Sequence, residues 1–259
     1  MTTDRIARYL FDSNQGRKPF EWLTGDLLPK NLTEAYAVQS ALIDLWETEG
    51  VGNVAGWKIA LTSTAMQELL GVDQPCVGAV LKPNIQPSPA NININDFVRL
   101  GLEFELAVRM SADTKDQLYD ASTIRSLVGG VVPAFELIED RGADYTDAEA
   151  MTLVADNTWN GGVILGEEIA GWEDIDWRSQ PVTLTYNGEV ETAVTGDAMG
   201  DPFAALAFVA NNLTDRGKRL RTGDIVITGS TLKTRFAAAG DRAHYEINGL
   251  GAVDLTISD

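Results

Sequence analysis

Residues 102–108 read LEFELAV, and the fold turns on how that stretch is read. Glu103 and Glu105 alternate with Leu102, Phe104 and Leu106. Successive side chains of a β-strand point to opposite faces, so the spacing predicts a strand with both carboxylates on one face and the apolar side chains on the other. On pattern alone this is an ordinary half-exposed strand with a polar outer face. The other reading is a site. Two carboxylates about 7 Å apart on one strand repel each other, and their proximity gains nothing unless a cation sits between them. A second stretch, PAFELIEDR (133–141), bears on the choice. Glu136 lies in an apolar run, where a charge is costly unless it is paired or bound to metal. Strand-borne Glu103, Glu105 and Glu136 make an oxygen-rich set suited to Mg2+ or Mn2+, with positions left open for water and substrate.

Working outward, strand signals dominate from Phe97 onward: FVRLGLEFELAVRM (97–110), GGVVPAFELIED (129–140), GGVILGEEI (161–169), PVTLTYNGEVET (181–192), DIVITGS (224–230) and HYEINGLGAVDLTIS (244–258). YNGE and INGLG carry Asn-Gly hairpin signals. One helix, DPFAALAFVANNLTDRG (201–217), interrupts them and closes at Gly217. The first third is helical instead. TEAYAVQSALIDLWETEG (33–50) places Ala35, Val38, Ala41, Leu42 and Leu45 at helical spacing, with Asn31 as cap, Glu34 three residues on, and Gly50 as stop. An earlier helix is expected over 4–11. NVAGWKIALTS (53–63) reads as a strand running into a loop, TAMQELLG (64–71) as a short helix, and 77–81 as a strand. The fold class is therefore α+β: a small helical N-terminal lobe with the lysine strand over residues 1–75, then a mixed β-rich metal-binding catalytic domain over 76–259. No Gly-rich phosphate loop follows a strand.

Composition bounds the function. The 259 residues are 44% hydrophobic and 22% charged, ordinary for a globular chain with a real core. No apolar run approaches the roughly 20 residues of a membrane helix, and the N-terminus has no basic patch followed by an apolar stretch. The single cysteine, Cys76, excludes an internal disulfide and any cysteine-rich zinc site. The expected location is the cytoplasm. A net charge of −18 repels phosphate backbones and anionic lipids, so neither nucleic acid nor membrane is an expected partner. A small anionic substrate then needs a local cation. The one histidine, His244, sits in the alternating stretch RAHYEINGLGAV and reads as a strand residue of a late hairpin. Acid-base work falls to carboxylates, lysine or metal-bound water.

Two further stretches hold candidates. In GWKIALTS (56–63), Lys58 lies mid-strand. It is either a side chain snorkelling to the surface or a partly buried ammonium able to move protons or hold a substrate carboxylate. In VADNTWNGG (154–162), Asp156 and Asn157 fall where the chain turns, and by themselves read as turn residues.

Taken together these segments resemble the 2-hydroxypentadienoate hydratase and 4-oxalocrotonate decarboxylase branch of the fumarylacetoacetate hydrolase superfamily, over nearly the whole chain. EAYAVQ (34–39) is similar to that family's N-lobe helix. GWKIALTS and LGVDQP (70–75) resemble its lysine strand and following loop, EFELAV and PAFELIEDR its metal carboxylates, and VADN its supporting turn. LRTGDIVITG (220–229) followed by AGDR (239–242) resembles its C-terminal signature. The resemblance implies a β-roll main domain, Mg2+ or Mn2+ on Glu103, Glu105 and Glu136, and assembly into homo-oligomers. It implies a small 2-oxo acid as substrate, chelated through its C1 carboxylate and C2 oxygen. Lys58, with Asp73 or Asp156, would move protons, and Thr62, Ser63, Cys76 and Trp159 would line the substrate.

Some positions depart from the family pattern. Cys76 stands where the hydratases carry Asp and the decarboxylases an apolar residue, and Trp159 stands where Ser is frequent. Lys233 and Arg235, in TLKTRF (231–236), stand where the hydratases are apolar. They are either binders of a second substrate carboxylate or charges of the surface or subunit interface. The resulting expectation is hydration of a 2-hydroxy-2,4-dienoate, with decarboxylation of a 2-oxo-enedioate or hydrolysis of an acylpyruvate as alternatives.

Overall fold

The N-terminal helices form where the sequence caps them. Helix α1 (Thr2–Gln15) runs past the expected 4–11 at both ends, while its buried apolar face, Ile6, Ala7, Leu10 and Phe11, falls within it. Helix α2 (Leu32–Thr48) begins at Asn31, whose side chain accepts from the Glu34 N–H at 3.0 Å, while Glu34 accepts from the Lys30 N–H at 3.0 Å. That satisfies donors a helix start leaves unpaired. The computed structural model describes residues 2–146 and 148–259.

Strand β1 (Val54–Ala60) follows, then α3 (Thr64–Leu70) and the short strands β2 (Cys76–Leu81), β3 (Ile85–Pro87) and β4 (Ala90–Asn93). The two long strands are β5 (Leu100–Met110) and β6 (Val128–Glu139), with the short helix α4 (Ala121–Arg125) between them. Helix α5 (Ala150–Ala155), strands β7 (Asn160–Leu165), β8 (Pro181–Tyr186) and β9 (Glu189–Val194), and helix α6 (Pro202–Asp215) come next. Strands β10 (Ile225–Ile227), β11 (Arg235–Phe236), β12 (Arg242–Ile247) and β13 (Gly251–Ser258) complete the chain. The α+β expectation holds: helices first, then mixed sheets. Helices α4 and α5, five and six residues long, are too short to show a period in the sequence.

Two sheets organise the molecule. The larger has eight strands in the order β2-β1-β10-β5-β6-β7-β3, with β11 pairing to β5; the smaller runs β4-β13-β12-β8-β9. Strand β1 is an integral member of the large sheet, parallel to β10 and antiparallel to β2. A boundary at residue 75/76 thus falls between two hydrogen-bonded strands. The Asn-Gly pairs turn as their chemistry requires: Asn187 and Gly188 both have positive φ, 52° and 88°, and join β8 to β9. Among the described residues, no helix is long and apolar enough to cross a membrane.

The core lies between the sheets. On one face of β5 and β6, Phe104 packs edge-on to Phe135 at 5.8 Å, and the Tyr245 ring of β12 lies 6.0 Å from Phe104. All three are fully buried, and truncating either phenylalanine to alanine costs about 3–5 kcal/mol. The opposite face of the same strands is also covered. Glu105 and Glu136 are 0% exposed and Glu103 is half-buried, so residues 102–108 are not a strand with a fully solvated polar face.

Candidate active site

Register alone brings the charged groups together. Glu103 of β5 lies directly across from Glu136 of β6, and Glu105 from Ala134. On the other side of β5, Ala107 pairs with Ile227 of β10, which pairs with Lys58 of β1. Cross-strand partners share a face, so Glu103, Glu105, Glu136 and Lys58 all stand on the face turned away from Tyr245. An oxygen from each of the three carboxylates lies within 4.8 Å of the other two.

Each carboxylate has one anchored side. Thr234 Oγ1 donates to Glu103 Oε1 at 2.7 Å, the Gly229 N–H to Glu105 Oε2 at 2.7 Å, and Asn160 Nδ2 to Glu136 Oε1 at 2.9 Å. Lys58 Nζ is 3.0 Å from Glu136 Oε1 and donates to the Thr158 carbonyl at 3.3 Å. The other buried oxygens, Glu105 Oε1 and Glu136 Oε2, have no hydrogen-bond partner. Burial and their mutual repulsion hold the Glu105 carboxyl well above the usual carboxylate range, and burial pushes Glu136 up too. Burial lowers the Lys58 ammonium, but Glu136, Glu103 and Glu105 together outweigh it and raise it. Buried oxygens that lack donors and repel one another are costly. A hard divalent cation bound by oxygen ligands removes both costs, so the residues present fit Mg2+ or a similar ion.

A strained turn completes the wall. Asn157, Thr158 and Trp159 are consecutive left-handed residues, with φ of 55°, 51° and 57°. Such backbone costs roughly 1–3 kcal/mol per non-glycine residue and persists only where its surroundings hold it. Here Asn157 does so: its Oδ1 accepts from the Ala79 N–H at 2.7 Å and its Nδ2 donates to the Ala79 carbonyl at 2.8 Å. The turn delivers the Thr158 carbonyl to Lys58 and lays the Trp159 indole against Phe20, ring centroids 5.0 Å apart, and Tyr145, 5.7 Å. Gly78, the strand partner of Lys58, leaves the room the turn needs: a Cβ there would lie 2.2 Å from Thr158 Oγ1.

The cavity in front of these groups has a volume of about 290 Å3. Lys58, Glu103, Thr62, Ser63 and Trp159 line it, so five expected residues converge there. Ser63 also caps α3, accepting from the Met66 N–H at 3.3 Å. The remaining candidates lie elsewhere. Asp73 is exposed in the loop after α3, outside the cavity wall. Asp156 is buried against Arg141, with Asn14 Nδ2 donating to it at 2.8 Å, and lines a separate polar cleft of about 370 Å3 that shares Trp159 with the cavity. Cys76 is fully buried among Tyr36, Leu61 and Leu70 rather than lining the cavity. Alternation puts it on the same face of β2 as Gly78, the partner of Lys58, but it is buried within that cluster, and burial pushes its thiol up to about 12.

Lys233 and Arg235 also lie off the cavity wall. Thr234 and Phe236 line the cavity, and the strand period turns the residues beside them away. Lys233 is exposed, and Arg235 makes a close ion pair with Glu191 and lies over the Tyr186 ring at 5.6 Å. His244 sits on β12, half-buried, with Nδ1 2.8 Å from Asp254 Oδ1. Sequence reading missed Asn160, Thr158, Gly229 and Thr234, which orient the charged groups. The hint for Thr234 was its place between two charges just before β11; Thr158 and Gly229 lie in irregular segments with no period to reveal them, and Asn160 only opens β7.

Fold and site define a protein of mixed sheets that gathers three carboxylates and an ammonium, with Glu103 and Lys58 of that group lining a cavity. Residues 76–258 match the fumarylacetoacetate (FAA) hydrolase C-terminal family, and the chain belongs to it. It is 33% identical over 229 residues to a 2-keto-4-pentenoate hydratase of Burkholderia vietnamiensis, 88% of this chain and 86% of that one. It is 28% identical over 249 residues to a 4-oxalocrotonate decarboxylase of Pseudomonas putida, 96% and 94% of the two chains. A solved structure of 4-oxalocrotonate decarboxylase from Pseudomonas putida, complexed with magnesium and adipate, matches with a TM-score of 0.91 at 24% identity, over 98% of this chain and 97% of that one. At that identity the likeness is one of fold.

Proposed function

We propose that this protein is a divalent-metal-dependent lyase of a small 2-oxo acid, hydrating a 2-hydroxypenta-2,4-dienoate-type substrate. The observation that carries the reading is the meeting of Glu103, Glu105 and Glu136, two of them with donorless buried oxygens, beside the Lys58 ammonium. The three carboxylates would hold Mg2+ or Mn2+, which when bound supplies a Lewis acid against negative charge developing on the 2-oxo group. Lys58 is the proton-bearing group at the cavity floor, positioned by Glu136 and the Thr158 carbonyl to give or take a proton on the substrate. Thr62 and Ser63 bring hydroxyls, and Trp159 its indole, to the wall of the same cavity. With Asp73 and Asp156 outside the cavity, the proton work falls to Lys58 alone. Hydrolysis by a His-Glu pair fits poorly, since His244 stands on the smaller sheet beside Asp254, outside the cavity wall.

The same reading takes the working form as a cytoplasmic homo-oligomer whose partner is a small anionic acid. The net charge of −18 supports this against polyanionic partners. The test follows loss of the dienoate's ultraviolet absorbance with purified protein in Mg2+ and after chelation. Metal-dependent loss of absorbance with a hydrated product is expected. No turnover in saturating Mg2+, or turnover indifferent to chelator, overturns the proposal.

A further inference from the structure

Two buried side-chain donors on the cavity wall have no acceptor. The Thr158 hydroxyl and the Trp159 indole N–H belong to residues 2% and 8% exposed, and neither has a hydrogen-bond partner. Both residues line the cavity. Among the described residues, its other side-chain donors are committed or open to water. Thr234 donates to Glu103, Ser230 to the Leu232 carbonyl at 2.8 Å, and Tyr145 to Asp140 Oδ2 at 3.1 Å. Lys58 is held by Glu136 and the Thr158 carbonyl. Thr62 is half-buried and Ser63 exposed, so water can satisfy both.

An unmet buried donor is costly, and here the cost falls on residues that also hold a left-handed backbone. Strain and unmet donors in one segment mark a place that a ligand completes. The hydroxyl stands on the site's own face. The point a Gly78 Cβ would occupy is 2.2 Å from Thr158 Oγ1 and 3.2 Å from Lys58 Cγ. A 2-oxo acid chelated through its C2 oxygen and one C1 oxygen keeps its other C1 oxygen free. In a cavity whose wall also holds Leu61, Met66, Ile138 and Leu153, that charged oxygen needs donors. We infer that Thr158 Oγ1 and Trp159 Nε1 donate to it, so that the strained turn binds the substrate carboxylate as well as supporting Lys58. The inference rests on the proposed reading, which brings the acid to Glu103, Glu105, Glu136 and Lys58.

Calorimetric titration of 2-oxobutanoate into the intact protein in saturating Mg2+ tests this, with Mg2+ affinity and thermal melting measured on the same samples. Thr158→Val keeps the branched shape and Trp159→Phe keeps an aromatic ring; each removes the donor. Each is expected to bind 2-oxobutanoate about tenfold or more weakly, because a hydrogen bond to a charged oxygen is lost. Mg2+ affinity without the acid, and Tm, are expected to stay as in the wild type. Thr158→Ser keeps the hydroxyl and is expected to restore affinity to within about twofold. Wild-type affinity in either donorless variant overturns the inference, as does a Thr158→Ser protein as weak as Thr158→Val. Weakened acid binding matched by lost Mg2+ affinity or a fallen Tm would make the pair structural, and also overturns it. All of these outcomes leave the lyase reading standing on its turnover assay. A wild-type protein that binds no 2-oxobutanoate overturns the inference, and one also silent on the dienoate overturns the lyase reading with it.

Discussion

Gly78→Ala adds a single methyl group to the cavity floor, and its effect follows from the coordinates. The new Cβ would lie 2.2 Å from Thr158 Oγ1, 2.9 Å from the Asn157 carbonyl oxygen and 3.2 Å from Lys58 Cγ. Side-chain atoms do not approach so closely, so the Asn157–Trp159 turn must retreat by roughly 1 Å. The turn cannot yield cheaply, because Asn157 is tied to both polar groups of Ala79. Overpacking of this kind costs about 1–3 kcal/mol, and the upper half of that range is expected here. For a chain of this size that lowers Tm by roughly 4–10 °C. The same movement draws the Thr158 carbonyl off Lys58, and a misplacement of about 1 Å near reacting groups lowers kcat/KM by about a hundredfold. Thr158→Ala removes the hydroxyl that collides. That hydroxyl is buried without a partner, and a β-branched residue is a poor fit at φ 51°, so the single variant is expected within about 1 kcal/mol of wild type. Combining the two should recover at least about 1 kcal/mol relative to the sum of the singles. Urea denaturation and dienoate turnover on all four proteins complete the cycle. A Gly78→Ala protein as stable and active as wild type, or strictly additive variants, would refute the reasoning.

Glu105→Gln is expected to abolish Mg2+ binding by calorimetry and metal-dependent turnover, yet to leave the metal-free protein at least as stable as wild type, because one of three crowded negative charges is gone; near-normal turnover would remove the proposed centre. Asp156→Asn breaks a buried pair with Arg141 and should cost about 3–5 kcal/mol, while turnover per folded molecule stays within about threefold. A well-folded but inactive Asp156→Asn protein would instead give that carboxylate a chemical role. Asp73→Asn should change neither quantity, which parallel melting and turnover measurements check. For Cys76, the folded thiol sits near 12 against 9.0 when exposed, so the native state keeps a proton that the unfolded state loses between those values. Stability therefore falls as pH rises across that window, with a limiting slope of about 1.4 kcal/mol per unit for this group. Cys76→Ala should flatten the decline between about pH 9 and pH 11 in urea midpoints; parallel curves for the two proteins would contradict the assignment.

How much of this was legible in the sequence depended on whether a residue sat in a regular element. Glu103, Glu105 and Lys58 were readable because strand alternation fixes which side chains share a face, and Glu136 because a charge amid apolar residues needs a reason. Asn31 and Glu34 announced a helix start through local chemistry alone. The Lys233 and Arg235 positions show the limit of the same rule. Alternation predicts that 233 and 235 share a face and that 234 and 236 share the other, but which face meets the cavity is set by β11 pairing with β5, with Arg235 opposite Leu102. That is a long-range fact. Asp156 was legible as a turn residue and not as half of an ion pair, because Arg141 and Asn14 reach it from other elements. Of the left-handed run at Asn157–Trp159 only Asn157 left a trace, as a turn residue, since neither Thr nor Trp favours that backbone. Tertiary contacts impose it.

Direct opposition of Glu103 and Glu136 across β5 and β6 has a bearing on how the chain finds its native pairing. A slip of one residue along either strand inverts every side chain, sending acids into the aromatic layer around Tyr245 and aromatic rings toward Lys58. Mispaired zippers of these two long, otherwise Val- and Leu-rich strands would thus be heavily penalised before any ion arrives. The acidic residues act as a ratchet during assembly, discarding wrong alignments that hydrophobicity alone would tolerate.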